Sequence, residues 1–222
     1  MRLALFDLDG TLLPIDSDHA FGEFLIASGW ADGDEYRRRN DDFYEQYKAE
    51  QLDIDAYVDF CTAAWRARPM QEVRALQARF VDEVARPALR PSALDLVQKH
   101  RQAGDLMAIV TATNDFVTRP FAELLGIETL IATELERDAG GRPTGAIRGT
   151  PAFRDGKIER VEQWLRSIGR RIDDFETQVF YSDSTNDLPL LERVSHPVAT
   201  NPSPTLEALA RQRSWPILRL FA

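Results

Sequence analysis

Cysteine is nearly absent: Cys61 is the single thiol among 222 residues. No internal disulfide can form, which excludes the small stapled folds of secreted miniproteins. Lysine is almost as scarce, with Lys48, Lys99 and Lys157 set against 24 arginines. Any lysine beside a functional motif is therefore conspicuous on composition alone. The three histidines, His19, His100 and His196, lack the spacing of metal ligands. Long apolar runs are missing as well. Nothing approaches the roughly 18 residues of a membrane span, and the opening MRLALFDLDG brings in charge before a signal-peptide core can form. A reducing cytoplasm is the expected compartment. Internal repeats and low-complexity linkers are also absent.

What is present is ordinary globular composition, 44% hydrophobic and 28% charged, enough for one large domain or one domain carrying an insertion. The formal net charge of −9 repels phosphate backbones, so neither nucleic acid nor membrane is an expected partner. That charge is unevenly placed. Residues 16–60 hold 13 Asp or Glu against Arg37, Arg38, Arg39 and Lys48, a local balance of −9, and the rest of the chain sums to zero.

Leu3 to Phe6 is a short apolar run ending at Asp7, the pattern of a buried strand in a parallel sheet. From Ser17 to Arg86 the apolar positions recur at three and four, as in Phe21, Phe24 and Leu25 or Tyr57, Phe60, Cys61 and Ala64. This predicts three or four helices and no strand, with the aromatic residues forming a core of their own. Beyond Pro91, strands are expected at Leu106–Thr111, Thr129–Thr133, Gln178–Ser182, Pro197–Thr200 and Pro216–Leu220. Helices alternate with them, and Ala139–Gly149 reads as a hairpin or loop. Such alternation predicts an α/β fold: a Rossmann-like parallel sheet covered by helices on both faces, with an all-helical cap inserted after the first strand. The expected core is 1–15 with 91–222, and the expected cap is 16–90.

In open parallel sheets, ligands bind beyond the carboxyl ends of the strands. The first apolar run ends in Asp7 and Asp9, the second in Thr111, and a later one in Asp183 with Asp187 a helical turn on. Four carboxylates aimed at one place require a compensating cation, because each raises the pKa of the others. All-oxygen ligands and a phosphate substrate favour Mg²⁺, with Asp7 and Asp183 as its carboxylate ligands. Asp7, at the strand tip, suits a nucleophile that becomes an acyl phosphate, and Asp9 a proton donor to the leaving group. Gly10 permits close approach of backbone N–H groups to phosphate, Thr111 offers a hydrogen bond, and Lys157 a mobile point charge at a helix start. An EF-hand is excluded, since the loop lacks its third acidic ligand and preceding helix.

These residues resemble the four signatures of the haloacid dehalogenase superfamily: FDLDGT at 6–11, Thr111, Lys157, and SDSTND at 182–187. The helical insertion is similar to the cap of the phosphoserine-phosphatase-like branch. The resemblance implies a Mg²⁺-dependent phosphatase of a small phosphorylated metabolite. In it Asp7 is nucleophile and metal ligand, Asp9 is acid/base and binds metal through its carbonyl, and Asp183 binds metal. Asp187 and Asn186 support that metal site; Thr111, Ala112 and Lys157 bind the phosphate.

The chain departs from phosphoserine phosphatases at Gly10, at Thr111-Ala112-Thr113, and at Asp16, where their amine-binding glutamate is one methylene longer. The stretches Asp16-Ser17-Asp18-His19, Gly156-Lys157 and Trp215-Pro216-Ile217-Leu218 are similar to relatives described as histidinol phosphatases. Histidinol phosphate is therefore the leading substrate, since its ammonium and imidazole suit an acidic cap. Phosphoserine, another small ester, and a non-catalytic phospho-acceptor resembling a receiver domain are the alternatives.

Overall fold

The computed structural model describes residues 1–49 and 51–221. In chain order the elements are β1 (Arg2–Phe6), α1 (Ser17–Ala27), α2 (Gly33–Lys48), α3 (Ile54–Arg66), α4 (Met70–Phe80), a π turn (Val81–Ala85), α5 (Arg86–Ala88) and α6 (Pro91–Gln102). There follow β2 (Leu106–Asn114), α7 (Asp115–Leu125), β3 (Thr129–Thr133), β4 (Leu135–Arg137), β5 (Pro143–Ile147) and α8 (Asp155–Ser167). The chain closes with β6 (Thr177–Ser182), α9 (Leu188–Arg193), β7 (His196–Thr200), α10 (Pro204–Gln212) and β8 (Ile217–Leu218). Six strands form one sheet in the order β3-β2-β1-β6-β7-β8, with every pairing parallel. Between β1 and α6 the described residues hold helices and no strand. Among the described residues no helix is long and apolar enough to cross a membrane.

The period of two in β1 explains how a run of apolar residues serves two layers. Ala4 and Phe6 join one buried cluster, while Leu3 and Leu5 join another on the opposite face with residues of α8, α9 and α10. Local sequence sets the helix starts. Asp16 caps α1, Asp53 caps α3, Asn114 caps α7 and Ser203 caps α10 through side-chain acceptors, and prolines open α6 and α10.

Three expectations need correction. The Ala139–Gly149 excursion belongs to a two-stranded antiparallel hairpin, β4 with β5, that begins earlier. The last strand is shorter than Pro216–Leu220, because the N–H groups of Leu220 and Phe221 turn to Asn201 Oδ1 at 2.7 and 3.2 Å. The aromatic residues of the insertion divide: Tyr36, Phe43, Tyr57 and Phe60 pack on one another, but Phe21, Phe24, Trp65 and Phe80 join the core of the sheet. Trp65 stacks on Phe116 of α7 at 4.3 Å between centroids, and Phe80 meets Phe121 at 6.0 Å. One continuous apolar cluster thus runs from the sheet through α7 into α1, α3 and α4.

Candidate active site

Asp7 follows β1 directly, its N–H bonded to Tyr181 O at 2.9 Å, and is 4% exposed. Its Oδ1 accepts from Lys157 Nζ at 2.8 Å and its Oδ2 from Thr11 Oγ1 at 3.2 Å. The same Thr11 hydroxyl lies 3.3 Å from Asp183 Oδ1, so one side chain touches both carboxylates. Lys157, expected as a mobile charge, is instead locked: it is 1% exposed and also sits 2.6 Å from Asp187 Oδ1. Asp187 is held in turn by Ser182 Oγ, which donates to its Oδ2 at 2.7 Å. The carboxyl ends of β1 and β6 and the first turn of α8 therefore meet at one point, beyond the strand ends of the open parallel sheet.

Burial pushes the Asp7 carboxyl up to about 6, against the pull of Lys157 and with repulsion from Asp187. Asp183 is also raised well above the ordinary carboxylate value, by burial and then by Asp7 and Asp187. Lys157 is held firmly protonated: burial opposes its charge, but Asp187 and Asp7 together outweigh that effect. One ammonium among three carboxylates leaves an excess of negative charge that the protein alone does not neutralise.

Asp9 is half-buried, and both its oxygens are engaged: Oδ1 accepts from Ser17 N at 2.7 Å and Oδ2 from Thr113 Oγ1 at 2.9 Å. Burial, then the charges of Asp16 and Asp7, raise its pKa well above the usual carboxylate range. Thr111 is 1% exposed and, with Ala112 and Thr113, lines a cavity of about 550 Å³ that includes its open mouth. Gly10 has φ +70°, and a Cβ there would lie 2.4 Å from Asp183 Oδ2, so this turn demands glycine on both counts. Asn186 bridges outward: its Nδ2 donates to Tyr47 O of α2 at 3.1 Å, and its Oδ1 accepts from Arg154 Nε at 3.4 Å.

The donor set fits a hard divalent cation. Among the described residues no three of His, Cys, Asp and Glu gather into a complete cage. Mg²⁺ does not need one, since it keeps several waters and binds through one or two carboxylates. Asp7 and Asp183 are adjacent across Thr11, while both oxygens of the Asp9 carboxylate are hydrogen-bonded to Ser17 N and Thr113 Oγ1.

Asp16 lines the cavity while its Oδ1 caps α1 by accepting from His19 N at 2.8 Å. Asp18 lines the same cavity and is 4% exposed. Asp32, Asp34, Glu35, Asp41, Asp42, Glu45, Asp53, Asp55 and Asp59 are exposed instead, so most of the acidity of residues 16–60 is solvated surface. Arg37, Arg38 and Arg39 are exposed too. His19 lines the cavity, but its Nε2 is paired with Asp41 at 2.8 Å.

Three site residues carried no assigned role in the sequence reading: Thr11, Thr113 and Asp18. Thr11, within FDLDGT, joins Asp7 to Asp183 through its hydroxyl, whereas Thr113 donates to Asp9 alone. Asp18 was marked only by its place in an acidic segment and in the stretch Asp16-Ser17-Asp18-His19.

Residues 4–192 match the haloacid dehalogenase-like hydrolase family, and the chain belongs to it. It is a phosphatase of that family. It is 42% identical over 217 residues, 98% of each chain, to the histidinol-phosphatase of Neisseria meningitidis serogroup C. It is 31% identical to the phosphoserine phosphatase SerB1 of Mycobacterium tuberculosis, across 96% of this chain and 69% of that one. Among solved structures, a protein of unknown function from Bordetella pertussis Tohama I matches with TM-score 0.93 and 49% identity over 99% of both chains. A substrate-bound phosphoserine phosphatase matches with TM-score 0.68 at 18% identity, over 97% of this chain and 91% of that one, a likeness of fold. Membership in a hydrolase family sets aside the phospho-acceptor alternative.

Proposed function

We propose that this chain is a Mg²⁺-dependent phosphomonoesterase acting through an aspartyl-phosphate intermediate, with histidinol phosphate as its substrate. The observation that carries the reading is the Asp7 carboxylate held between Lys157 and Thr11 at a strand end, with Asp9 two residues on. Residues 16–90 act as a cap over the core formed by 1–15 and 91–222, and the cavity lies between them.

An Asp7 oxygen attacks phosphorus, forming the acyl phosphate as the bond to the leaving oxygen breaks. Lys157 keeps Asp7 ionised and offers positive charge to the phosphoryl oxygens, while Thr111 and the backbone at Gly10 supply further donors. Asp9, whose carboxyl burial pushes well above the usual carboxylate range, delivers a proton to the leaving alkoxide. It then accepts a proton from the water that hydrolyses the intermediate. Bound Mg²⁺, held by Asp7, Asp183 and the Asp9 carbonyl, with Asp187 and Asn186 behind them, would neutralise the excess anionic charge.

The substrate assignment is supported by the cavity wall, where Asp16 and Asp18 stand among Phe43, Tyr44, Tyr47 and Tyr57. Carboxylates and aromatic faces together suit an organic cation. Full-length similarity to a protein described as a histidinol-phosphatase points the same way.

The test is phosphate release from histidinol phosphate, phosphoserine and p-nitrophenyl phosphate, with and without Mg²⁺. Mg²⁺-dependent turnover with the highest kcat/KM for histidinol phosphate is expected, and Asp7→Asn should abolish it. A preference for phosphoserine would overturn the substrate assignment, and a near wild-type rate in Asp7→Asn the mechanism.

A further inference from the structure

We propose that Asp18, framed by Asn114 and Tyr57, is a specificity residue that receives the imidazole of the substrate, the base farther from the phosphoryl group. This inference rests on the phosphatase reading above and deepens it.

An aspartate at a helix start commonly serves as a cap, but that role at α1 is filled by Asp16, which accepts from His19 N at 2.8 Å. Asp18 instead points its carboxylate at a neutral donor. Asn114 Nδ2 reaches its two oxygens at 3.3 and 3.4 Å, and Tyr57 lines the same cavity. The Asn114 amide cannot turn away, because its Oδ1 accepts from Val117 N at 3.1 Å to cap α7. Among the described residues no ion pair involves Asp18, although it is 4% exposed. A buried carboxylate without a cation is costly, and burial, with Asp16 adding repulsion, lifts its pKa to about 7. A basic group arriving through the cavity supplies the missing partner.

Placement decides which basic group. Asp16 directly precedes Ser17, whose N–H donates to Asp9 Oδ1 at 2.7 Å, so Asp16 lies on the side of the reacting centre, where an ammonium one carbon from the ester would sit. Asp18 is tied to Asn114, three residues beyond Thr111 on β2, up to about 10 Å along the strand. Phe43 and Tyr57, in tilted contact with centroids 5.2 Å apart, line the cavity together with Leu52 and Ile54. A carboxylate beside an aromatic and aliphatic wall matches a planar nitrogen heterocycle.

The experiment measures histidinol as a competitive inhibitor of p-nitrophenyl phosphate turnover, with ethanolamine as the imidazole-free control, in wild type, Asp18→Asn, Asp18→Glu and Tyr57→Phe. Asp18→Asn should weaken histidinol inhibition by about 100-fold, the scale of a broken buried charge pair. Its effect on ethanolamine should be at least about tenfold smaller, since ethanolamine lacks the group Asp18 pairs with. Tyr57→Phe should raise the inhibition constant of histidinol by about tenfold while leaving kcat for p-nitrophenyl phosphate unchanged, and Asp18→Glu should recover part of the loss. Equal losses for histidinol and ethanolamine in Asp18→Asn would make Asp18 a structural brace and overturn the proposal. If the wild type prefers phosphoserine, the substrate assignment fails separately. Histidinol inhibition that depends on Asp18 would then still support the imidazole site, and its absence would overturn it.

Discussion

The ammonium of Lys157 stands 2.8 Å from Oδ1 of Asp7, and both side chains are almost wholly buried. Lys157 is therefore structural and functional at once. Replacing it with methionine leaves Asp7 and Asp187 facing each other without a counter-charge. Lys157→Met should lower stability by about 3–5 kcal/mol, as for other broken buried pairs. It should also lower kcat by about 10²–10³, the scale for one lost electrostatic donor. Urea denaturation and phosphate release check the two effects; a variant with wild-type stability would contradict the buried pairing.

At Gly10 the prediction concerns the metal. A Cβ would sit 2.4 Å from Asp183 Oδ2 and 2.7 Å from its Cγ, on a backbone with φ +70°. Gly10→Ala must push Asp183 aside. The Mg²⁺ concentration for half-maximal activity should rise by about 10- to 100-fold, as when a neighbour of a ligand is disturbed. An unchanged Mg²⁺ requirement would remove Asp183 from the metal site.

Asn201 holds the first motif from beneath. Its Nδ2 donates to Gly10 O and Thr11 O at 2.9 and 3.1 Å, its Oδ1 accepts from Leu220 and Phe221, and its φ is +46°. Asn201→Ala loses these bonds and strains the left-handed backbone, costing about 2–4 kcal/mol. Asn201→Gly loses the same bonds without the strain, so its denaturation midpoint should fall between alanine and wild type. The reverse order would show that the backbone conformation contributes nothing.

Asp18 gives a pH signature in metal-free protein. Its carboxyl is raised to about 7 from 3.8, so between these values the folded state binds the proton more tightly than the unfolded state does. Its contribution to stability is complete below about 4 and is lost as pH rises through 7. Asp18→Asn removes this dependence. The melting temperature of the variant minus that of the wild type should grow from pH 4 to pH 7 by an amount on the order of 5 °C, then level off. A difference that is constant across this range would mean that Asp18 is not buried as a titrating acid.

Much of the fold is legible in linear patterns because the determinants are local. Thr129–Thr133 is a strand at the expected residues, and Pro91 and Pro204 open helices where proline is tolerated. Asp7, Asp9, Thr111, Lys157 and Asp183 could be named as candidates from sequence because each stands at or near the end of an apolar run or, for Lys157, at a helix start, although β2 continues three residues past Thr111, to Asn114. Lys157 was misjudged as mobile, since its burial depends on Asp187, which is 30 residues away in sequence. The aromatic residues of the insertion were assigned a core of their own because helical spacing marks a buried face without naming what covers it; Phe116 and Phe121 cover part of it here.

By itself, then, the order of residues determined the α/β alternation, the inserted helices and the chemical types gathered at the strand ends, because period, capping and proline act over a few neighbours. Tertiary structure alone decided that Thr11 joins Asp7 to Asp183, that Lys157 is enclosed between two aspartates, and that Asp18 faces the cavity while most of its acidic neighbours face water. Those outcomes depend on packing between segments far apart in the chain, where burial turns an ordinary carboxylate into one that needs a partner.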